Sequence, residues 1–298
     1  MYHGEVIRKI RLSKGLTQKE VYLGIVSKSY AIEFEKGNHS ISATLLLDIL
    51  ERLSLDMDEF LYISQDYRLN EQADYIFRYS NYSNNYDLPA LYQLLQELQE
   101  QQGPIANVHV AEVRSRIRII EATNKTGSYT PDVVLSEDKA TIIQYLTNLQ
   151  TWTLQEIQLF ANTLEFIEGE KQLLFFKQLS KSLELYKNYD RGREIFCSLL
   201  VNLIRETLDE NLLDYAEVLI EQLLLLSTEY KECFHRLCAK FFKGVLLTKR
   251  GDANGQTESE MVLKILHELD YAPLAKELES LLYCLLYTSP SPRDRSLS

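Results

Sequence analysis

Residues 26–37 read VSKSYAIEFEKG, and how this stretch folds decides the reading of the chain's first sixty residues. Ser27 is placed to cap a helix, and Gly37 to end it in the left-handed conformation that a side chain resists. On the wheel of that helix Ala31 and Phe34 share an inner side with Ser27. Ser29, Ile32, Glu33 and Lys36 point away, Lys28 lies on the flank, and Glu35 falls near the inner border. The preceding LTQKEVYLG (16–24) predicts a shorter helix: Thr17 caps it, Glu20 completes a capping box, and Gly24 ends it. GEVIRKIRLSKG (4–15) sets Val6, Ile7, Ile10 and Leu12 on one stripe and stops at Gly15. Downstream, 40–54 and 56–63 predict a fourth and a fifth helix.

Five helices in so short a span, with a tight turn between the second and third, is the layout of a repressor-type helix-turn-helix. The charge distribution agrees. The chain carries −11 overall, but residues 1–40 hold seven Lys/Arg against four acids, a local +3 that leaves −14 on the other 258 residues. A polyanion partner is therefore expected at the head. Glu33 is the awkward residue: an outward carboxylate repels phosphate, yet it is also an acceptor suited to cytosine N4 in the major groove.

At 298 residues, 45% hydrophobic and 25% charged, with few glycines and prolines, the chain is expected to be all-α and to form two domains. The boundaries read from the sequence are a head at 1–66 and a body at 67–283. The body is a succession of amphipathic helices near 68–82, 87–101, 105–123, 132–148, 153–167, 171–187, 190–208, 212–228, 230–249, 258–268 and 271–283. Several starts look alike, among them NYDLPALYQLLQEL (85–98), NYDRGREIFCSLL (188–200), LDYAEVLIEQLL (213–224) and LDYAPLAKELESLL (269–282). They resemble the second helix of a tetratricopeptide repeat at an irregular period, which implies a superhelical body whose concave face suits an extended peptide. The last stretch, CLLYTSPSPRDRSLS (284–298), breaks the composition and resembles an in-frame sequencing adapter; it is read as a non-native tail.

The pattern LTQKE…VSKSYAIEFEKG resembles the Cro/repressor-type helix-turn-helix. Joined to degenerate tetratricopeptide-like helices, with TWTLQEIQLFANTLEFI (151–167) as a Trp-centred repeat, the chain over about 1–283 resembles the Rgg/MutR-type (Rgg/GadR/MutR) transcriptional regulators of Gram-positive bacteria. That family shares the turn between Gln18 and Ser27, one residue shorter than in most such repressors. By this resemblance Arg11 and Glu35 form a partly buried ion pair joining the first and third helices. Gln18 anchors phosphate, and Lys28, Ser29 and Glu33 face the groove, so Thr17, Gln18, Ser27, Lys28, Ser29, Glu33 and Lys36 are the candidate DNA-contacting set. The resemblance further implies a cytoplasmic homodimer on an operator with inverted half-sites. In many members a short apolar peptide pheromone occupies the body, the signature of quorum sensing.

The chemistry of such a peptide pocket selects its own candidates. An extended peptide has N–H and C=O groups that are costly to bury unpaired, and Asn pairs both. Asn162 and Asn202 sit mid-helix, where Asn needs a reason to be. Arg205, one turn beyond Asn202, suits a carboxylate, and Trp152, the only tryptophan, suits an apolar wall.

No enzyme motif is present: no Gly-rich phosphate loop, nucleophile elbow or H-E-x-x-H, and His3, His39, His109, His235 and His267 are scattered. Cys233 and Cys238 flank His235, but their spacing splays them around a helix and no second ligand pair exists. Cys197, Cys233, Cys238 and Cys284 are therefore expected to be buried thiols, with no metal and no cofactor. No apolar run is long enough to span a bilayer. The rival readings are a ligand-independent regulator and an interaction scaffold whose head binds protein.

Overall fold

The structure, a computed structural model, describes residues 2–126, 130–167 and 169–287. All regular elements among them are helical. They divide into two compact units, Met1–Leu94 and Leu95–Ser298.

The first unit opens with α1 (His3–Ser13), α2 (Gln18–Tyr22), α3 (Lys28–Glu35), α4 (Ala43–Arg52) and α5 (Met57–Ser64). Their starts are fixed by side chains that satisfy the free N–H groups of a first turn. Thr17 and Glu20 form the capping box of α2, Ser27 Oγ accepts from the Tyr30 N–H, and Ser42 and Asp56 cap α4 and α5. Gly15, Gly24 and Gly37 all have positive φ, at 68°, 83° and 79°, where a Cβ would be strained. The core of this unit is Val6, Ile7 and Ile10 from α1, Val21 and Tyr22, Ala31 and Phe34 from α3, and Leu46, Ile49, Leu50 and Phe60 beyond. Leu12, grouped with the α1 stripe by sequence, is instead 57% exposed. Arg11 takes the inward position beside Ile7 and Ile10, which turns residue 12 to solvent. α6 (Glu71–Asn84) and the first part of α7 (Leu88–Gln99) group with this unit, so by contact it continues past residue 66.

The second unit takes the rest of α7 and then α8 (Pro104–Thr126), α9 (Ser136–Asn148), α10 (Leu154–Thr163), α11 (Gly169–Tyr186), α12 (Asp190–Asp209), α13 (Leu213–Leu226), α14 (Cys233–Lys249), α15 (Asn254–Glu268) and α16 (Ala272–Tyr287). The helix expected from 132 begins at Ser136, because Pro131–Val133 forms a separate 3-10 turn. α8 packs on α9, α12 on α13, α13 on α14 and α14 on α15, so chain neighbours are spatial neighbours, as in a stacked helical body. The four look-alike starts fall on α7, α12, α13 and α16. Because α12 and α13 are consecutive, they cannot both be second members of helix pairs; the motif marks helix starts in general. Asp190 and Asp214 in the first turns supply the reason, a carboxylate at the positive end of the helix. Within this unit α14 and α15 cross closely: a Cβ on Gly244 would meet Gly255 O at 2.6 Å and Ser259 Oγ at 2.4 Å. α16 continues to Tyr287, four residues beyond 283; the rest of the proposed non-native tail lies outside the described residues.

Candidate functional site

The two glutamates of VSKSYAIEFEKG have different fates. Glu35 is 3% exposed and accepts two hydrogen bonds from Arg11, Nε to Oε1 at 2.7 Å and Nη2 to Oε2 at 2.8 Å. Arg11 spends a third donor on Leu16 O at 2.7 Å. Tyr22 Oη and Gln18 Nε2 complete the cluster, donating to Glu35 Oε1 and Oε2 at 3.0 and 2.8 Å. Burial alone would raise the Glu35 carboxyl, but these donors outweigh it and hold it below the ordinary carboxylate range. Four donors on one carboxylate tie α1, α2 and α3 together and set the angle of the hairpin. The amide of Gln18, expected on phosphate, is committed to this cluster. Its neighbour Thr17 is the exposed cap of α2.

Glu33 stays on the outer face. Lys36 Nζ holds Oε1 at 2.8 Å and Asn38 Nδ2 holds Oε2 at 2.7 Å, and these donors, Lys36 first, lower the carboxyl's pKa. The outward charge is thus locally compensated, at the cost of engaging Lys36. Lys28 and Ser29, in the first turn of α3, are exposed, and Lys28 makes no ion pair among the described residues. Ser27 Oγ lies 3.2 Å from Ser29 Oγ. Among the described residues this face has an unpaired cation in Lys28, hydroxyls around the helix start, and a clamped acceptor one turn further on.

In the body, residues far apart in sequence surround a cavity of about 30 Å³ lined by Arg116 of α8, Ala161, Leu164, Glu165, and Asn202, Arg205 and Glu206 of α12. That volume holds roughly two waters, or one small polar end group. Arg116 pairs with Glu165 at 3.1 Å and donates to Asn162 O at 3.0 Å. Asn202 Nδ2 donates to Ala161 O at 3.0 Å. Two of the four peptide candidates, Asn202 and Arg205, therefore share one cavity. Asn162 stands beside it, with Nδ2 on Glu112 Oε1 at 2.8 Å, a bond from α10 to α8. Trp152 does not reach it: at 5% exposed, it packs edge-on against Phe160 and against Phe175 in the core. Burying a large aromatic wins over leaving it to line a small polar cavity.

Glu206 gives the cavity a pH dependence. Burial pushes its carboxyl up to about 7; Arg205 opposes this, and Glu165, Asp209 and Glu210 reinforce it. A carboxyl neutral in the fold and ionised when unfolded makes the folded state hold an extra proton. Its contribution to stability is full below the ordinary 4.5 and is lost as pH rises through about 7. Glu206→Gln is expected to unfold in urea with the wild type at about pH 4 and to be the more stable at about pH 8. An equal gap at both pH values would contradict this assignment.

Two of the four thiols depart from expectation. Cys197 and Cys238 are buried, but Cys233 and Cys284 are exposed. Cys233 opens α14 on its outer side, and five residues of helix carry Cys238 to the inner one. No helix among the described residues is long and apolar enough to cross a membrane.

Residues 7–60 match the helix-turn-helix family model. Residues 92–280, well over half the chain, match the model described as HTH-type transcriptional regulator Rgg, C-terminal domain. The chain belongs to the Rgg family of helix-turn-helix transcriptional regulators. A solved structure from Listeria monocytogenes EGD-e, described as a transcriptional regulator, is 35% identical with a TM-score of 0.85, covering 96% of this chain and 97% of that one. The pheromone receptor Rgg2 of Streptococcus dysgalactiae shares the fold at 19% identity and a TM-score of 0.75, covering 93% and 97%. PrgX, solved with cCF10, does so at 17% and 0.71, covering 95% and 99%. In this Rgg-family chain the matched helix-turn-helix segment contains α3, and the Arg11–Glu35 cluster ties α3 to α1.

Proposed function

We propose that this Rgg-family regulator is switched by a short apolar peptide. In this reading it acts as a cytoplasmic homodimer on an inverted-repeat operator, docking α3 in the major groove. Lys28 contacts phosphate with Thr17, Ser27 and Ser29 around it, and Glu33 reads a base with Lys36 and Asn38 holding its oxygens. Asn202 and Arg205 receive the peptide's polar end, and Asn162 braces α10 against α8 beside the cavity. The observation that carries the reading is that one chain has both an α3 with an exposed Lys28 and a body with a cavity that gathers an Asn and two Arg from distant helices. The pheromone receptor Rgg2 and the PrgX/cCF10 complex support it by analogy of fold.

Selection of bound duplexes from a randomised pool tests the DNA half, and an enriched inverted repeat is expected. On that operator, Lys28→Ala is expected to weaken all sequences alike and to reduce the salt slope by about 1. Glu33→Ala is expected to change the preferred base at one position of each half-site; unaltered preference and affinity would refute this docking of α3. For the peptide half, Asn202→Ala is expected to weaken the response roughly tenfold, the loss of about one good hydrogen bond, with basal operator binding intact. If basal binding falls while the peptide response persists, Asn202 is a structural residue.

A further inference from the structure

His235 has both ring nitrogens engaged. Nδ1 lies 2.7 Å from Glu232 Oε2, and Nε2 lies 3.2 Å from Ser198 Oγ. Glu232 belongs to the 3-10 turn Tyr230–Glu232 that leads into α14, and His235 to the first turn of that helix. From α12, Cys197 arrives at the same point. Its sulfur, one Glu232 oxygen and one His235 nitrogen all lie within 4.8 Å of one another. All three residues are buried, at 0%, 5% and 7% exposed. A thiol, a carboxylate and an imidazole thus converge from two helices in a dry interior, an arrangement that the spacing of Cys233 and Cys238 around His235 does not suggest.

We propose that Cys197 Sγ, Glu232 Oε2 and His235 Nδ1 form a binding site for one divalent transition-metal ion of the zinc class, joining α12 to the start of α14. Bonds of about 2.0–2.3 Å in a tetrahedral arrangement place such ligands roughly 3.3–3.8 Å apart. Oε2 and Nδ1, now 2.7 Å apart, must therefore separate slightly to admit the ion between them, and the sulfur, within 4.8 Å of a ligand atom of each residue, must approach. The surrounding groups suit each ligand's task. Arg193 Nε lies 3.5 Å from Glu232 Oε1, which leaves Oε2 as a single donor. With Nδ1 on the ion, the imidazole proton would sit on Nε2, where Ser198 Oγ is placed to accept it. A thiolate with an imidazole selects the zinc class over calcium or magnesium.

On binding, the thiol proton leaves to solvent, and the imidazole proton moves from Nδ1 to Nε2. Because a thiolate must replace a thiol, metal uptake releases a proton and strengthens as pH rises. Because the three ligands are buried, the ion enters as the chain folds.

The test uses the full chain, unfolded with a chelator and refolded with stoichiometric Zn²⁺ or Co²⁺. One metal per chain is expected after desalting, and with Co²⁺ a thiolate-to-metal absorption band. Cys197→Ala and His235→Gln are expected to lose the metal, and Cys233→Ser to keep it. Ser198→Ala is expected to bind one ion roughly tenfold more weakly. A variant with Cys233, Cys238 and Cys284 all replaced, leaving Cys197 as the only thiol, is expected to retain the cobalt band, and this decides the matter if Cys197→Ala fails to fold. Folded wild type that retains no metal, retention unchanged in Cys197→Ala, or a cobalt spectrum without the thiolate band would each overturn the site and leave a polar network of Arg193, Glu232, His235 and Ser198.

Discussion

Glu35→Ala is expected to destabilise the head by about 3–5 kcal/mol, the cost of leaving one member of a buried ion pair without its partner. The loss is large because Arg11 remains 7% exposed, with two of its three hydrogen bonds gone, and because Gln18 and Tyr22 lose their acceptor in the same step. Hydrogen exchange read by mass spectrometry checks it: amides of α1 to α3 should exchange faster while those of α12 to α14 keep their protection. Unchanged protection in α1 to α3 would mean that the apolar core alone holds the hairpin. The paired replacement Arg11→Met with Glu35→Leu is expected to recover most of the stability, because both charges leave together. The pair also has a pH signature. The Glu35 carboxyl is lowered in the fold, so its contribution is present above the ordinary 4.5 and is lost as the pH falls through its folded value.

Gly4→Ala is expected to cost about 3 kcal/mol and to abolish operator binding. A Cβ on Gly4 would stand 1.7 Å from Phe34 O and 2.5 Å from Phe34 C, backbone atoms that no rotamer change can move. α1 must therefore draw back from α3, and the shift pulls Arg11 off Glu35. The two variants act on one interface, so their effects should not add; the double variant is expected to be less destabilised than the sum. Operator binding by Gly4→Ala at wild-type affinity would show that α1 and α3 can separate without moving the DNA-facing side of α3.

Much of the head was legible in its sequence because capping and left-handed turns are local. Thr17, Ser27, Gly15, Gly24 and Gly37 act within three or four residues of themselves. The Arg11–Glu35 pair follows from the family resemblance. The parts of Gln18 and Tyr22 in it were not reached, since nothing local tells an amide whether phosphate or a carboxylate will be its partner. Leu12 was misplaced for a related reason: periodicity counts apolar residues and did not anticipate that Arg11 would take the inner position to meet Glu35.

In the body, helical periodicity places each expected helix, with starts that differ by a few residues, at α9 and α14 because the 3-10 turns Pro131–Val133 and Tyr230–Glu232 intervene, and also at α6 and α15 where none does. Which side chains meet was another matter. Trp152 has the composition of a ligand wall and the burial of a core residue. Asn202 and Arg205 share a cavity with Arg116, 86 residues earlier than Asn202, and Cys197 meets His235 rather than Cys233. Element type, helix starts and ends, and the sign of charge along the chain are short-range properties, and the sequence by itself determined them. The fate of each polar group inside the fold depends on which distant helix packs against it, and only the tertiary structure decided that.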